Sequence, residues 1–436
     1  MQTIYYKNLQ SVKSPKKDAL AWVTPFYVIL FSLLLFIRDC GGIGINKYLF
    51  VVLTFVVVCT LDIKKTLCLF CFLMPLYVGL PGNYMTFIFF GKFLFEWKNF
   101  NLSPALFIST MFASIFVFLQ NVIFGTTSIG EMSTIPGLII VMFLFAYKGD
   151  LNKKSMITYY VVGVAITGLI MLFTTLNEFS FSEILTSTNR LGAGYNKTEL
   201  FGLEGDMLVS LDPNYFGLFA IAAISVGYPL LFAKEIKSQK VILIISLLTT
   251  LAVALIGLSR AFLLVLIIWA ISIIFTQMNF RNILIAIFTF VIVGILVMLI
   301  FPEVIEALSE RFKSDDIADG NGRIVLIETY AADWTESFST IIFGMGLNFC
   351  EVHCMPLQVV YGGGIVYSII MIAFFLSLLA NVRVKNEIRK PMDCLPMLLV
   401  FVMTCTVPIA TSLTFMFPFV MSIYSLKEGT LCVSEL

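Results

Sequence analysis

The chain has 436 residues, of which 59% are hydrophobic and only 13% charged, and its net charge is +1. A soluble domain carries about a quarter charged residues, so this composition excludes an ordinary soluble globular protein. It also excludes nucleic-acid binding through bulk charge, and no basic run with interleaved aromatics is present.

The apolar residues come in blocks close to the length that crosses about 30 Å of hydrocarbon as helix. The short alternating segments of a barrel are not evident. The expected fold class is an all-α polytopic integral membrane protein with about 12–14 transmembrane helices and two long extracytoplasmic loops.

Residues 1–19 are polar and lysine-bearing and read as a cytoplasmic tail. The apolar run 20–37 ends in Arg38-Asp39-Cys40 and not in a small-residue cleavage site, so it reads as a first span. An N-terminal transmembrane bundle, 20–176, then divides into spans 20–37, 47–61, 66–80, 84–97, 102–122, 133–147 and 155–176. A first long outer loop covers 177–211. The central helices, within 212–301, are expected at 213–233, 241–258, 260–276 and 282–301. Asp212-Pro213 predicts a helix start, with an N-cap followed by proline at the first helical position. The second long outer loop covers 302–355, and a C-terminal part, 356–436, holds spans 356–380, 394–408 and 411–426.

Lysine and arginine placement sets the expected orientation. With both termini cytoplasmic, 20 of the 28 lysines and arginines fall inside. The same rule requires the apolar stretch 241–275 to cross twice, because Lys240 and Arg281 both belong inside. The reversal is expected at Gly257-Leu258-Ser259-Arg260, which puts Arg260 near the outer surface. A plain alternative is an arginine snorkelling to the interface.

Loops this long in a compact domain are usually functional or disordered. These keep Phe, Leu, Tyr and Trp, which argues against disorder. In the second loop, Ile324, Ile327, Ala331 and Trp334 fall on one helical face, predicting a helix along the membrane surface. A weaker helical pattern runs from 304 to 312.

The candidate site residues are ionisable groups near the outer boundary. Arginine grips phosphate with a planar, permanently charged fork. Arg190, Arg260 and Arg323 therefore suit a lipid-linked phosphate or pyrophosphate; the alternative is that they are loop charges paired with nearby carboxylates. His353, the only histidine, has a side chain that titrates near neutrality and can serve as a general base, or as a structural group. Cys350 and Cys354 flank it, leaving a disulfide or a zinc site open, although the four ligands of a structural zinc site are not evident. Cys59, Cys68, Cys71 and Cys405 lie in apolar runs and read as core fillers.

Several of these residues carry a resemblance. Leu211-Asp212-Pro213-Asn214 opens a span, Gly257-Leu258-Ser259-Arg260-Ala261 joins a helical pair, and Gly322-Arg323 begins the loop helix. Phe343-Gly344-Met345-Gly346 and His353 follow, then Gly362-Gly363-Gly364. In order and spacing, over roughly residues 177–380, the pattern resembles the O-antigen polymerase and O-antigen ligase superfamily of bacterial polysaccharide assembly. The N-terminal third agrees only in hydropathy.

The resemblance implies a fold similar to C-type integral-membrane glycosyltransferases, in the bacterial cytoplasmic (inner) membrane. It implies a metal-independent glycosyltransferase with no cofactor, and the outer loops hold no Asp-x-Asp. Its substrate would be an undecaprenyl-pyrophosphate-linked oligosaccharide, polymerised into O-antigen, capsular or exopolysaccharide. A chain-length regulator protein and a flippase are the partners implied. The catalytic residues would be His353, Arg323 and Arg260. Arg190, Asp212, Asn214, Gly344 and Gly346 would bind substrate. Two other readings stand beside it: an O-antigen ligase that transfers glycan to lipid A core, and a polysaccharide flippase or other transporter. A transporter would carry charges at mid-membrane on several helices, and here they are nearly absent.

Overall fold

The computed structural model describes residues 22–148, 153–186, 213–232, 239–277, 323–350, 352–383, 391–407 and 412–426. It is an α-helical membrane protein, and no strand is formed among the described residues beyond one isolated bridge, Phe100 with Tyr147. Among the described residues, five apolar helical segments are long enough to cross a membrane: Pro104–Ile123, Ile129–Ala146, Lys153–Leu176, Pro213–Phe232 and Met355–Val382. Five shorter apolar helices, of 10–17 residues, accompany them there.

The helices are numbered in chain order. They are α1 (Val23–Asp39), α2 (Lys47–Thr60), α3 (Ile63–Leu73), α4 (Gly82–Phe95), α5 (Pro104–Ile123), α6 (Ile129–Met132) and α7 (Thr134–Ala146). There follow α8 (Lys153–Leu176), α9 (Phe181–Thr186), α10 (Pro213–Gly227), α11 (Lys240–Ile256), α12 (Arg260–Gln277), α13 (Arg323–Thr335), α14 (Phe338–Phe343), α15 (Met355–Arg383), α16 (Leu395–Thr404) and α17 (Leu413–Tyr424).

The predicted spans match these helices with shifted ends, and span 282–301 lies outside the described residues. The third span is only partly α-helix: α3 ends at Leu73 and continues as a 3-10 segment through Gly79. The stretch 241–275 is divided into two helices, α11 and α12, joined at Gly257–Ser259. Leu258 there has φ 47°, the left-handed conformation that L residues rarely adopt. The loop helix forms as α13, with a second helix, α14, that its sequence pattern did not announce. The 304–312 pattern lies outside the described residues.

Helix starts follow ordinary capping chemistry. Asn46 caps α2, Asp62 caps α3 and Ser103 caps α5 with proline at its first position. The hydrocarbon-like core is centred on α3, α8 and α10. Residues 69–73 of α3 and 216–223 of α10 are buried without interruption, so these helices are surrounded by others.

Contacts between connecting segments sort into two ends of the bundle. At one end Asn101 N–H donates to Ala146 O, and Lys153 donates to Ser425 O. At the other, Arg38 pairs with Asp39 and donates to Gly79 O at 2.6 Å, Ser133 bonds Asn83, and Asn177 donates to Cys40 O. Arg38 is only 2% exposed, and those acceptors offset the cost of burying its charge. This alternation is what successive crossings require. Which end faces the cytoplasm rests on the lysine and arginine distribution alone.

Candidate functional site

The site is built at the end of the bundle that holds the α11–α12 turn. Ser259 is the hub there. Its hydroxyl donates to Asn214 Oδ1 at 2.7 Å and accepts from Phe262 N–H at 3.3 Å. The second bond is an N-cap, so Ser259 starts α12 while tying it to the first turn of α10. One turn deeper, a Cβ on Gly217 of α10 would lie 3.0 Å from Phe262 Cβ and 3.3 Å from Met403 Cε. The starts of α10 and α12 and the end of α16 therefore meet.

Arg260 occupies the first position of α12 and is half-buried. A helix N-terminus carries a partial positive charge, which makes it a poor place for a cation and a good one for an anion. Neither α12 nor α13 has an acidic residue in its first turn, and α13 opens on Arg323.

A second buried cluster sits on this end. Cys350, Val352 and Tyr361 form its centre, with Ile327, Tyr330, Ala331, Trp334 and Met345 packed around them. Three of the four residues expected on the inner face of α13 are there. The fourth, Ile324, is 47% exposed. The Trp334 and Tyr361 rings lie 5.5 Å apart. This packing lays α13 against the loop that carries His353, whose side chain is exposed.

Gly344 and Gly346 hold that loop to a break in α15. Gly346 N–H donates to Gly362 O at 2.9 Å and Met345 N–H to Tyr361 O at 3.0 Å. Gly364, at φ 71° and ψ −177°, breaks α15 internally, where the expected span is continuous. A Cβ on Gly344 would lie 2.1 Å from Gly362 O, and one on Gly364 would lie 2.4 Å from Ile342 O. The two segments touch backbone to backbone, which no other residue type permits. These amides are already engaged in packing, so the geometry gives Gly344 and Gly346 a positioning role.

The sequence analysis missed a clamp from α5. Gln120 Nε2 donates to Phe343 O, and its Oε1 accepts from Leu347 N–H at 3.1 Å. Asn348 reaches Asn121 Oδ1 at 3.4 Å. Gln120 and Asn121 are both buried. The available signal was two adjacent amides closing an otherwise apolar span, since polar groups at membrane depth are kept for partners. Gln120→Leu is expected to lower stability by roughly 2 kcal/mol, from two lost hydrogen bonds and the acceptor left bare. A thermal melt in detergent checks this.

The cysteines differ from expectation. Cys350 and Cys354 are both free thiols. Burial pushes the Cys350 thiol up to about 11. No cluster of three metal-ligating side chains occurs among the described residues, so Cys350, His353 and Cys354 do not form a ligand set. Cys59 and Cys405 are exposed and are not core fillers; Cys71 is buried as expected. Cys405 closes α16, where its thiol donates to Phe401 O at 3.5 Å.

Asn214 and Ser259 are thus brought together, with Arg260 the next residue, and His353 stands just before the start of α15. Arg323 opens the helix that packs on the His353 loop. Arg190 and Asp212 lie outside the described residues. No protein-family model and no curated protein matches this sequence.

Proposed function

We propose that this chain is a metal-independent membrane glycosyltransferase. In this reading it polymerises undecaprenyl-pyrophosphate-linked repeat units into O-antigen, capsular or exopolysaccharide at the outer face of the cytoplasmic membrane. The observation that carries the reading is the junction of the α10 and α12 starts at Asn214 and Ser259, with Arg260 at the positive pole of α12. A pyrophosphate is the anion such a place suits, and its isoprenoid tail requires an apolar flank like that of the surrounding spans.

Arg260 and Arg323 hold the donor pyrophosphate and stabilise the charge that grows on it as the anomeric bond breaks. His353 orients the acceptor hydroxyl and takes its proton. The acceptor oxygen then bonds to the anomeric carbon, and the lipid pyrophosphate leaves with the bonding electron pair. Asn214 and Arg190 line the glycan path in this scheme.

Deletion of the gene tests the reaction class on one gel. A polymerase leaves a single repeat unit on the surface lipid, whereas a ligase leaves polymer stranded on the isoprenoid carrier. An unchanged ladder overturns both. His353→Ala is expected to lower turnover by about 100-fold, the lower range of general-base effects, while donor KM stays within a few-fold. An unaffected rate reduces His353 to a structural group.

A further inference from the structure

The helices α5 and α15 lie side by side and antiparallel. Ser109 bonds Ser377 at 3.0 Å, Phe116 stacks on Tyr367 at 4.9 Å, and Gln120 reaches the loop that follows α14. Each helix also shows one exposed apolar stripe: Phe112, Ile115, Leu119 and Ile123 on α5, and Ile365, Ile369, Ile372 and Leu376 on α15. Stripes of this kind on membrane-crossing helices face acyl chains. The segment 342–347 bridges their tops. Phe343 O accepts from Gln120 in the last turn of α5, and Ile342 and Gly344 press backbone to backbone on Gly364, just before Ile365. With 20 residues, α5 is about 30 Å long, the thickness of the hydrocarbon layer, and Gln120 stands only about 4.5 Å short of its end.

Non-helical backbone at that depth must be satisfied inside the protein. Here it is. Gly344 N–H donates to Thr340 O at 2.8 Å, Met345 to Tyr361 O at 3.0 Å, Gly346 to Gly362 O at 2.9 Å and Leu347 to Gln120 Oε1 at 3.1 Å. The side chains point the same way. No charged residue occurs from Ser337 to Cys350, yet Phe338 is 79% exposed, Phe343 58%, and Phe349 is exposed beside Phe124. By contrast Glu328, Asp333 and Glu336 are the exposed groups on and just after α13.

We propose that the segment 338–349 is a re-entrant lipid anchor, with Phe338, Phe343 and Phe349 in the acyl chains of the leaflet at the α5 C-terminal end. Its occupant is lipid because its surface continues the two lipid-facing stripes. The apolar face of α13 is used otherwise, against the second cluster, so its charged face meets water. The anchor fixes the height of the following loop, which carries His353, relative to the membrane. This inference does not depend on the glycan-transfer reading.

The full chain is placed in nanodiscs of phosphatidylethanolamine and phosphatidylglycerol, with p-benzoylphenylalanine at one position at a time, and irradiated. Mass spectrometry then counts acyl-chain adducts. Positions 338 and 343 are expected to give adducts within about threefold of position 118, which is exposed on α5, and position 336 at least tenfold fewer. Cross-links from 338 and 343 to a second copy of the chain, or adducts there no more frequent than at 336, overturn the proposal. The wild-type chain supplies a second measurement that needs no variant. In the same nanodiscs, hydroxyl radicals made in the water are expected to oxidise Phe338 and Phe343 no faster than Phe118. Oxidation at least tenfold faster than that of Phe118 puts the two rings in water and overturns the anchor.

Discussion

Arg260→Ala is expected to reduce glycan transfer by two to three orders of magnitude while the protein keeps its fold. The reduction follows from removing one fixed cation from the place where charge grows on the leaving group, worth roughly 3–4 kcal/mol of barrier. The retained fold follows from local physics. Arg260 stands at the first position of α12, where the helix dipole disfavours a cation. Ser259 still caps the helix and still holds Asn214. Stability is therefore expected to change by no more than about 1 kcal/mol. Arg260→Lys keeps the charge and loses the fork, so partial activity is expected. Arg323→Ala is expected to act like Arg260→Ala. The assays are polymer ladders from cells and a melt of the purified variants. Wild-type ladders from both alanine variants remove the arginines from the site.

Gly344→Ala is expected to be the most damaging single methyl group in the segment 323–364. The added Cβ would lie 2.1 Å from Gly362 O and 2.6 Å from Gly364 N, at φ 82°. Neither neighbour is a side chain that can swing away. A loss of at least about 3 kcal/mol is expected from the combined clash and backbone strain. The damage is expected to be local first, because the cluster under α13 is separate from the core of the bundle. Limited proteolysis should cut within 323–350 before the spans unfold. Gly91→Ala is the control: nothing lies within 4 Å of its added Cβ, and it sits inside α4. That change is expected to stabilise by about 0.5–1 kcal/mol. Equal melting temperatures for the two variants would refute the glycine interlock.

The spans were legible because lipid imposes a local rule. A helix that crosses hydrocarbon must be apolar along most of its length, and its ends must carry the polar residues. The division of 241–275 into two helices and the start of α10 at Pro213 followed from that rule and from capping chemistry. The α13 helix was visible in its spacing, although Ile324 faces outward because the buried cluster ends before the first turn. The break at Gly364 was not visible. Three successive glycines permit a kink, but only contact with Gly344 requires one.

The amino-acid order thus established the membrane class, the helix positions and the residue types fit for an anion. Each of these depends on neighbours within a few turns of one helix. The folded chain alone decided the pairings: Gln120 with Phe343 and Leu347, and Ser259 with Asn214. Partners that distant leave no periodic trace, because what joins them is the packing of helices whose order along the chain is not their order in space.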